Sequence, residues 1–190
     1  MKIYVVDNGG QWTHREWRVL RNLGADASIV PNDTPSNKLA DADGIVLSGG
    51  APSIVSELDK LGFVKEYLSE YDVPVLGICV GAQFIALYSG GKVGPAVHPE
   101  YGKTELDLFN KGSIFSNLPD HMIVWENHND EVKSLSSDFV VCASSEGCKI
   151  QAFYHTSRPI FGVQFHPEVD NTEHGEDIFK AFMNVCAIKN

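Results

Sequence analysis

The stretch that decides the fold reads Val75-Leu76-Gly77-Ile78-Cys79-Val80-Gly81. Its apolar start, Val75–Ile78, predicts a buried strand, and the residues from about Gly81 to Tyr88 predict a helix. Glycines stand two residues before and two residues after Cys79, where a sharp turn from strand to helix leaves no room for side chains. The pattern therefore predicts a turn that exposes the Cys79 thiol above the carboxyl edge of a sheet.

The alternation of strands and helices continues towards the N-terminus. Strands are predicted at Lys2–Val6, Ala27–Val30 and Gly44–Leu47, and helices at Trp12–Leu23 and from about Glu57 to Tyr71. Apolar strands that alternate with helices are typical of a parallel sheet covered on both faces. With right-handed crossovers, this predicts an α/β fold whose three layers surround a doubly wound, mainly parallel sheet.

The second half of the chain has a different pattern. Short strand-like runs are separated by clusters of glycine, proline, asparagine and serine, which predicts an added antiparallel region. These runs are Val93–Val97, Thr104–Phe109, Ile123–Trp125, Val132–Lys133, Phe139–Ala143, Ile150–Tyr154 and Ile160–Phe165. A last helix, Glu173–Ile188, carries an apolar face that should dock on the sheet. Since no linker or repeat interrupts the chain, residues 1–190 are expected to form a single domain.

The composition excludes several classes of protein. Of the 190 residues, 43% are hydrophobic and 21% are charged, which is typical of a compact globular chain and not of a disordered one. The formal net charge of −10 argues against binding to nucleic acid or to an anionic membrane. No apolar run reaches the length of a signal-peptide core or a membrane span, so we expect a cytoplasmic protein.

The four cysteines predict one reactive thiol. They form no Cys-x-x-Cys pair and show no spacing with histidines that indicates zinc, so no metal is expected, and without a secretion signal a disulfide framework is not expected either. Cys142, Cys148 and Cys186 are interpreted as small buried apolar residues. Cys79 differs because the N-terminus of the following helix favours its thiolate.

A second motif supplies a base and an acid. His166 and Glu168 flank Pro167 at the end of the last predicted strand. Because the proline favours an extended conformation at His166, the two side chains are expected to project on the same side. A nucleophile, a base and a carboxylate that orients the base make up the triad of acyl transfer. The sequence therefore predicts a triad of Cys79, His166 and Glu168.

A third motif, the loop Ser48–Ser53, follows the preceding strand and so lies on the same sheet edge. Its Gly49 and Gly50 allow close approach of a substrate oxygen, and the N–H groups of Gly50 and Val80 are predicted to form an oxyanion hole. An ordinary turn between strand and helix is the alternative. Gln83, one helical turn beyond the nucleophile, is placed to bind an amide substrate, with an exposed helix glutamine as the alternative.

These motifs, in this chain order, resemble the class I glutamine amidotransferases, whose glutaminase domain takes ammonia from glutamine for a partner synthetase. The resemblance covers essentially the whole chain and implies a flavodoxin-like fold. Three segments resemble more narrowly the separate glutaminase subunits of archaeal-type GMP synthases. They are residues 6–18 (VDNGGQWTHREWR), 125–132 (WENHNDEV) and 162–169 (GVQFHPEV).

The resemblance implies that ammonia passes to an ATP-pyrophosphatase subunit that converts XMP to GMP. It also implies that Asn127 and His128 contact the substrate. This chain has no Gly-Lys-Ser/Thr phosphate loop, so no cofactor is expected in it, and ATP and Mg²⁺ are expected in the partner. The polar segment Asn127–Val132 is the candidate for sensing the partner, and the stretch Asn127–Asp130 is expected to be a loop that docking repositions. A plain surface loop is the alternative.

Three positions depart from the family pattern. Ala82 replaces a histidine, Asn127 replaces a serine, and Ala51 is an extra residue between Gly50 and Pro52. None of them belongs to the predicted triad. Three other functions stay open: the glutaminase of another pathway, such as anthranilate synthesis; a stand-alone cysteine hydrolase of γ-glutamyl compounds or peptides; and a regulatory subunit without activity, against which the intact triad argues.

Overall fold

Nine strands form one sheet within residues 1–188, which the computed structural model describes. In chain order they are β1 (Lys2–Asn8), β2 (Asp26–Pro31), β3 (Gly44–Gly50), β4 (Val75–Ile78), β5 (Lys92–Leu108), β6 (His121–Ser134), β7 (Phe139–Ser144), β8 (Ala152–His155) and β9 (Ile160–Val163). Their spatial order is β2-β1-β3-β4-β9-β8-β7-β5-β6. The first five strands in this order pair in parallel and the remaining pairings are antiparallel. The predicted fold class is confirmed.

Helices cover both faces of the parallel half. They are α1 (Thr13–Asn22), α2 (Val64–Glu70), α3 (Val80–Tyr88) and α4 (Gly175–Cys186). The crossovers through α1 and α2 run in opposite directions along the sheet, so right-handed connections place these helices on opposite faces. Helix α4 packs on the face of α1, where its Phe182 contacts Phe161 of β9 edge to face. In the part of the chain described, no helix has the length and apolarity needed to cross a membrane.

The core lies in the strands that the helices cover. The apolar side chains of β1, β3, β4 and β9 have almost no solvent exposure, as the continuous apolar runs predict for a sheet buried on both faces. Examples are Ile3, Val5, Val6, Ile45, Val46, Leu47, Leu76 and Val163. Because these strands are parallel, the turns after all four open at one edge of the sheet. The candidate site is built from those turns.

The predicted helix from about Glu57 to Tyr71 is wrong in its first half. A 3₁₀ turn covers Leu58–Leu61, and α2 begins only at Val64. Between them Gly62 adopts a positive φ of 55°, and a β-carbon at this position would lie 2.4 Å from the carbonyl oxygen of Asn32. The chain therefore turns sharply here against the β2 loop, which a continuous helix does not permit.

Two long strands replace four short predicted ones. Val93–Val97 and Thr104–Phe109 both fall largely within β5, whereas Ile123–Trp125 and Val132–Lys133 are parts of β6. The segment Asn127–Asp130 is not a loop, because it continues β6 and pairs with β5. Hydrophobic patterning missed this continuity because polar side chains occupy the buried face of the strand at this point.

Two predicted element ends also shift. Strand β9 ends at Val163 and not at Phe165, so the His-Pro-Glu motif lies in the connection beyond the strand. Helix α4 begins at Gly175, later than the predicted Glu173, because His174 adopts a left-handed conformation with φ 57° immediately before it.

Candidate active site

Cys79 occupies the turn between β4 and α3 in a conformation that is unusual for a residue with a side chain. Its φ is 49° and its ψ is −107°. The flanking glycines are sterically required: a β-carbon on Gly77 would lie 2.7 Å from the carbonyl oxygen of Gly81, and one on Gly81 would lie 2.2 Å from that of Leu47. The expectation of an exposed thiol is wrong, however. Cys79 is only 4% exposed and lies at the floor of a cavity.

His166 and Glu168 form a buried pair in the connection after β9. The Nδ1 atom of His166 lies 2.7 Å from Oε1 of Glu168, which leaves Nε2 free for proton transfer. The backbone is fixed as well, because His166 N–H donates to the carbonyl of Trp125 and Thr172 donates to the carbonyl of His166. The ring of Trp12 packs edge to face against the imidazole at 4.5 Å. The base is therefore held in one orientation.

The charge of His166 follows from its neighbours. Burial alone would lower the pKa of the imidazole, but the negative charge of Glu168 and the hydrogen bonds to Cys79 and Glu168 outweigh this effect and hold the pKa well above its ordinary value of 6.5. His166 is therefore protonated at neutral pH. A protonated imidazole beside a thiol is suited to stabilise the thiolate and to donate a proton to a leaving group.

Two adjoining cavities flank the nucleophile. The first, of about 260 Å³, is bordered by the loop after β1, by the loop Ser48–Ser53 at the end of β3, called the glycine loop below, and by the His166–Glu168 pair. The second, of about 240 Å³, extends from Cys79 along the start of α3 to β6. Both contact Gly50, Ala51 and Asn127. Cys79 is thus accessible to a small molecule from either side.

The glycine loop lies directly against the triad. A β-carbon at Gly49 would be 3.1 Å from Cε1 of His166 and 3.7 Å from Cβ of Cys79, so a side chain here would press on both. Val80 is the first residue of α3, and its N–H therefore has no acceptor within the helix. Gly50 and Val80 border the cavities around the thiol, and their joint role as an oxyanion hole stays a prediction.

Gln83 is neither an exposed helix residue nor free to donate to a substrate. It is 2% exposed, and its Nε2 donates to the carbonyl of Asp130 at 2.7 Å and to Oε1 of Gln164 at 3.1 Å. Gln164 in turn donates to Sγ of Cys79 at 3.5 Å. The side chain therefore braces β6 and the amide that contacts the thiol. Gln83 also borders the second cavity, and its contact with an amide substrate stays a prediction.

The two residues of β6 predicted to contact the substrate, Asn127 and His128, face different sides of the strand. The carbonyl oxygen of Asn127 lies 4.0 Å from Sγ of Cys79, so Asn127 faces the site through its backbone. The imidazole of His128 points instead into the protein, where Nδ1 contacts the carbonyl of Asp130 and Nε2 contacts Glu100, both at 3.1 Å. Side chains alternate along a strand, so His128 cannot share the orientation of Asn127. His128 nevertheless borders the second cavity, and its contact with the substrate stays a prediction.

Sequence reasoning missed Glu16. This residue lines the cavity, is 1% exposed and accepts a hydrogen bond from the N–H of Gly49 at 3.3 Å. Its other oxygen has no partner among the described residues. Burial and then the charge of Glu168 raise the pKa of Glu16 well above its ordinary value, so its carboxyl is neutral. A signal was present in the sequence, because Glu16 stands with Thr13 and Leu20 on the buried stripe of α1.

Replacing Glu16 by glutamine is expected to stabilise the fold at neutral pH. The unfolded carboxyl ionises near pH 4.5, whereas the folded one keeps its proton, so wild-type stability falls as pH rises above that value. Glu16→Gln removes this penalty and keeps an acceptor for Gly49. The melting temperature should rise by several degrees at pH 7, at about 2–4 °C per kcal/mol, and match the wild type below pH 4. Exposed Glu70→Gln is the control, and equal melting temperatures at pH 7 would contradict the assignment.

The fold and site define the class of protein. The model of the class-I glutamine amidotransferase family matches residues 4–186, and the chain belongs to that family. Among its relatives, a glutamine-hydrolyzing GMP synthase subunit from Picrophilus torridus is 62% identical over 186 residues, which cover 98% of this chain and 99% of the relative. The corresponding protein from Thermoplasma volcanium is 60% identical over 186 residues, which cover 98% of this chain and 92% of that relative. These matches confirm the resemblance to the family and to its GMP synthase branch.

Solved structures agree with the fold. The crystal structure of a protein from Thermoplasma acidophilum that is 59% identical in sequence to this chain superposes on it with a TM-score of 0.95, over 98% of this chain and 94% of that one. A glutamine amidotransferase from Thermotoga maritima is only 21% identical but has a TM-score of 0.76 over 89% of this chain and 76% of that one, so the likeness extends to the fold alone.

Proposed function

We propose that this chain is the glutaminase component of a two-subunit GMP synthase. It hydrolyses glutamine and supplies ammonia to an ATP-pyrophosphatase subunit that converts XMP to GMP. The observation that carries the proposal is the buried pair of His166 and Glu168 beside Cys79, in a family that acts on glutamine and among relatives named as glutamine-hydrolyzing GMP synthase subunits.

In the first half-reaction, the Cys79 thiolate attacks the carbon of the glutamine side-chain amide. The negative charge that develops on the amide oxygen is stabilised by the N–H groups of Gly50 and Val80. A bond between sulfur and carbon forms, the bond between carbon and nitrogen breaks, and protonated His166 gives its proton to the departing ammonia. Glu168 keeps the imidazole oriented and stabilises its positive charge.

In the second half-reaction, neutral His166 takes a proton from water, and the hydroxide oxygen attacks the γ-glutamyl thioester. The bond between sulfur and carbon breaks, glutamate leaves, and Cys79 returns to the thiolate beside a protonated imidazole. The same base therefore acts in both halves. The new γ-carboxyl group ionises as glutamate leaves, and ammonia can take up an equivalent proton as ammonium, so the overall reaction balances.

The coupling to a partner is proposed to pass through the surface where the glycine loop meets β6. Ser53 donates to the carboxylate of Asp130 at 2.6 Å, and the carbonyl of Asp130 accepts from Gln83. This surface adjoins the second cavity beside Cys79. A synthetase subunit that docked here and moved Asp130 would shift the glycine loop, and thereby the oxyanion donors. ATP and Mg²⁺ belong to the partner in this scheme.

The proposal predicts that the isolated chain is a weak glutaminase that its partner activates. Steady-state glutamine hydrolysis is compared with and without the synthetase subunit loaded with ATP, Mg²⁺ and XMP, and a rise of at least about tenfold, or about 1.4 kcal/mol, is expected. Asp130→Ala should suppress the rise without changing the labelling of Cys79 by a glutamine-analogue electrophile. Exposed Asp138→Ala is the control. Equal rates with and without the partner would favour a stand-alone hydrolase of γ-glutamyl compounds.

A further inference from the structure

A buried cluster of two carboxylates and an imidazole lies between β5 and β6, outside the proposed mechanism. Glu126 and His128 project from the same face of β6, and Glu100 stands directly opposite His128 in β5. The Nε2 atom of His128 is 3.1 Å from Oε2 of Glu100 and 3.5 Å from Oε2 of Glu126. One atom from each side chain lies within 4.8 Å of the other two.

The cluster contains buried oxygens without partners. Glu126 is fully buried, and neither of its carboxylate oxygens has a hydrogen-bond partner among the described residues. The same holds for Oε1 of Gln151 in the adjoining segment before β8, whose amide nitrogen donates to Glu100 at 2.8 Å. Leaving a buried polar group unpaired costs about 1–3 kcal/mol. The unpaired carboxyl group of Glu126, which lies beside the imidazole of His128, therefore indicates that a further group binds there.

We propose that Glu100, Glu126 and His128 bind a divalent transition-metal ion, with Zn²⁺ as the best match. Zn²⁺ takes imidazole and carboxylate ligands at about 2.0–2.2 Å, and tetrahedral bonds of that length place neighbouring ligand atoms about 3.4 Å apart. The two distances from His128 bracket this value. Once the ion displaces the proton of the Glu126 carboxyl, two carboxylates balance a charge of +2 in a buried place. The sequence predicted no metal because its cysteines lack metal-binding spacing, whereas this cluster is assembled across two strands.

An access route leads to the cluster. An open surface cavity of about 720 Å³ reaches Glu100, whose side chain is 11% exposed. Four carboxylates and one lysine border this cavity, namely those of Glu100, Glu105, Asp107, Glu146 and Lys103. The excess of negative charge attracts cations towards the opening.

A bound ion would brace the strand that supports the active site. Three backbone carbonyls of β6 contact the site: that of Trp125 accepts from His166 N–H, that of Asn127 faces the Cys79 thiol, and that of Asp130 accepts from Gln83. Fixing β6 from its buried side would hold these carbonyls in place. The inference does not rest on the proposed function, since metal binding is measured without glutamine.

The first test measures metal binding in the Cys79→Ala protein, because Cys79 and His166 together also attract Zn²⁺. The protein is freed of metal with a chelator and titrated with Zn²⁺ by calorimetry and with Co²⁺ by visible absorption. We expect one ion per chain, Co²⁺ bands typical of tetrahedral coordination, and a higher melting temperature with Zn²⁺. The absence of stoichiometric binding would overturn the proposal.

The second test locates the ion with Glu126→Gln and, as a second variant, Glu100→Gln. Each should weaken Zn²⁺ binding by at least about 100-fold, equivalent to about 2.7 kcal/mol. Circular dichroism of the metal-free proteins reports whether each variant folds. The matched control is Asp177→Asn, which alters an exposed pair with His174. Binding that survives both glutamine variants, or is lost in the control, would place the ion elsewhere and overturn the assignment.

Discussion

Cys79→Ala should abolish glutamine hydrolysis, with a loss of at least about 10⁴-fold. Among the residues that border the first cavity, Cys79 has the nucleophile suited to the proposed acyl intermediate, because His166 is charged, Glu168 is held by the imidazole and the carboxyl of Glu16 is neutral. Ammonia release by a coupled assay gives the rate, and a glutamine-analogue electrophile followed by mass spectrometry identifies the labelled residue. The folded state of the variant is checked by its melting temperature.

The other three cysteines supply the control. Burial raises the pKa of the Cys142 and Cys148 thiols far above the ordinary range and that of Cys186 to about 12, so none of them forms a thiolate at neutral pH. Alanine substitutions at these positions should leave turnover largely intact. The assignment of the nucleophile would be contradicted if the glutamine-analogue electrophile labelled any of these three cysteines before Cys79, or if Cys79→Ala still hydrolysed glutamine at a substantial rate.

His166→Ala should lower turnover about as severely as Cys79→Ala, by about 10⁶-fold, whereas Glu168→Gln should cost less, about 10⁴-fold. The imidazole transfers a proton in both half-reactions, but the carboxylate only orients and stabilises it. The amide of the glutamine variant can still contact Nδ1. Pre-steady-state kinetics separate acylation from thioester hydrolysis, and full activity in Glu168→Ala would remove this residue from the triad.

The pH profile gives a sharper readout of Glu168. Its negative charge raises the pKa of His166, so the neutral amide of Glu168→Gln should lower that pKa. His166 must be protonated to donate to the departing ammonia, and a lower pKa means that the proton is lost at lower pH. The high-pH limb of the acylation rate should therefore move towards neutrality. An unchanged limb would show that the carboxylate does not control this titration.

The parallel half of the fold was predictable because several local signals coincide there. The strand Val75–Ile78 was predicted with the same bounds that the structure shows, since a short apolar run, flanking turns and a following helix all agree. The triad could be predicted for the same reason. Gly77 and Gly81 permit the sharp turn from strand to helix, and a non-glycine residue between them at Cys79 indicates that its side chain has a function.

The antiparallel half was less predictable because its stabilising contacts are distant in sequence. Glu126 and His128 are polar, so the hydrophobic pattern predicted a break where β6 in fact continues with its polar groups buried. Glu16 and Gln164 were missed for a related reason. A buried polar side chain has a role only in relation to partners from other elements, and those partners are known only once the chain has folded.

The backbone conformation that the chain needs at Cys79 destabilises the folded protein. A positive φ of 49° is a conformation that glycine adopts freely and that costs other residues about 1–3 kcal/mol. The residue that would fit this turn with least strain is thus one that has no nucleophile. A chain released from the need to hydrolyse glutamine would therefore gain stability by replacing Cys79 with glycine.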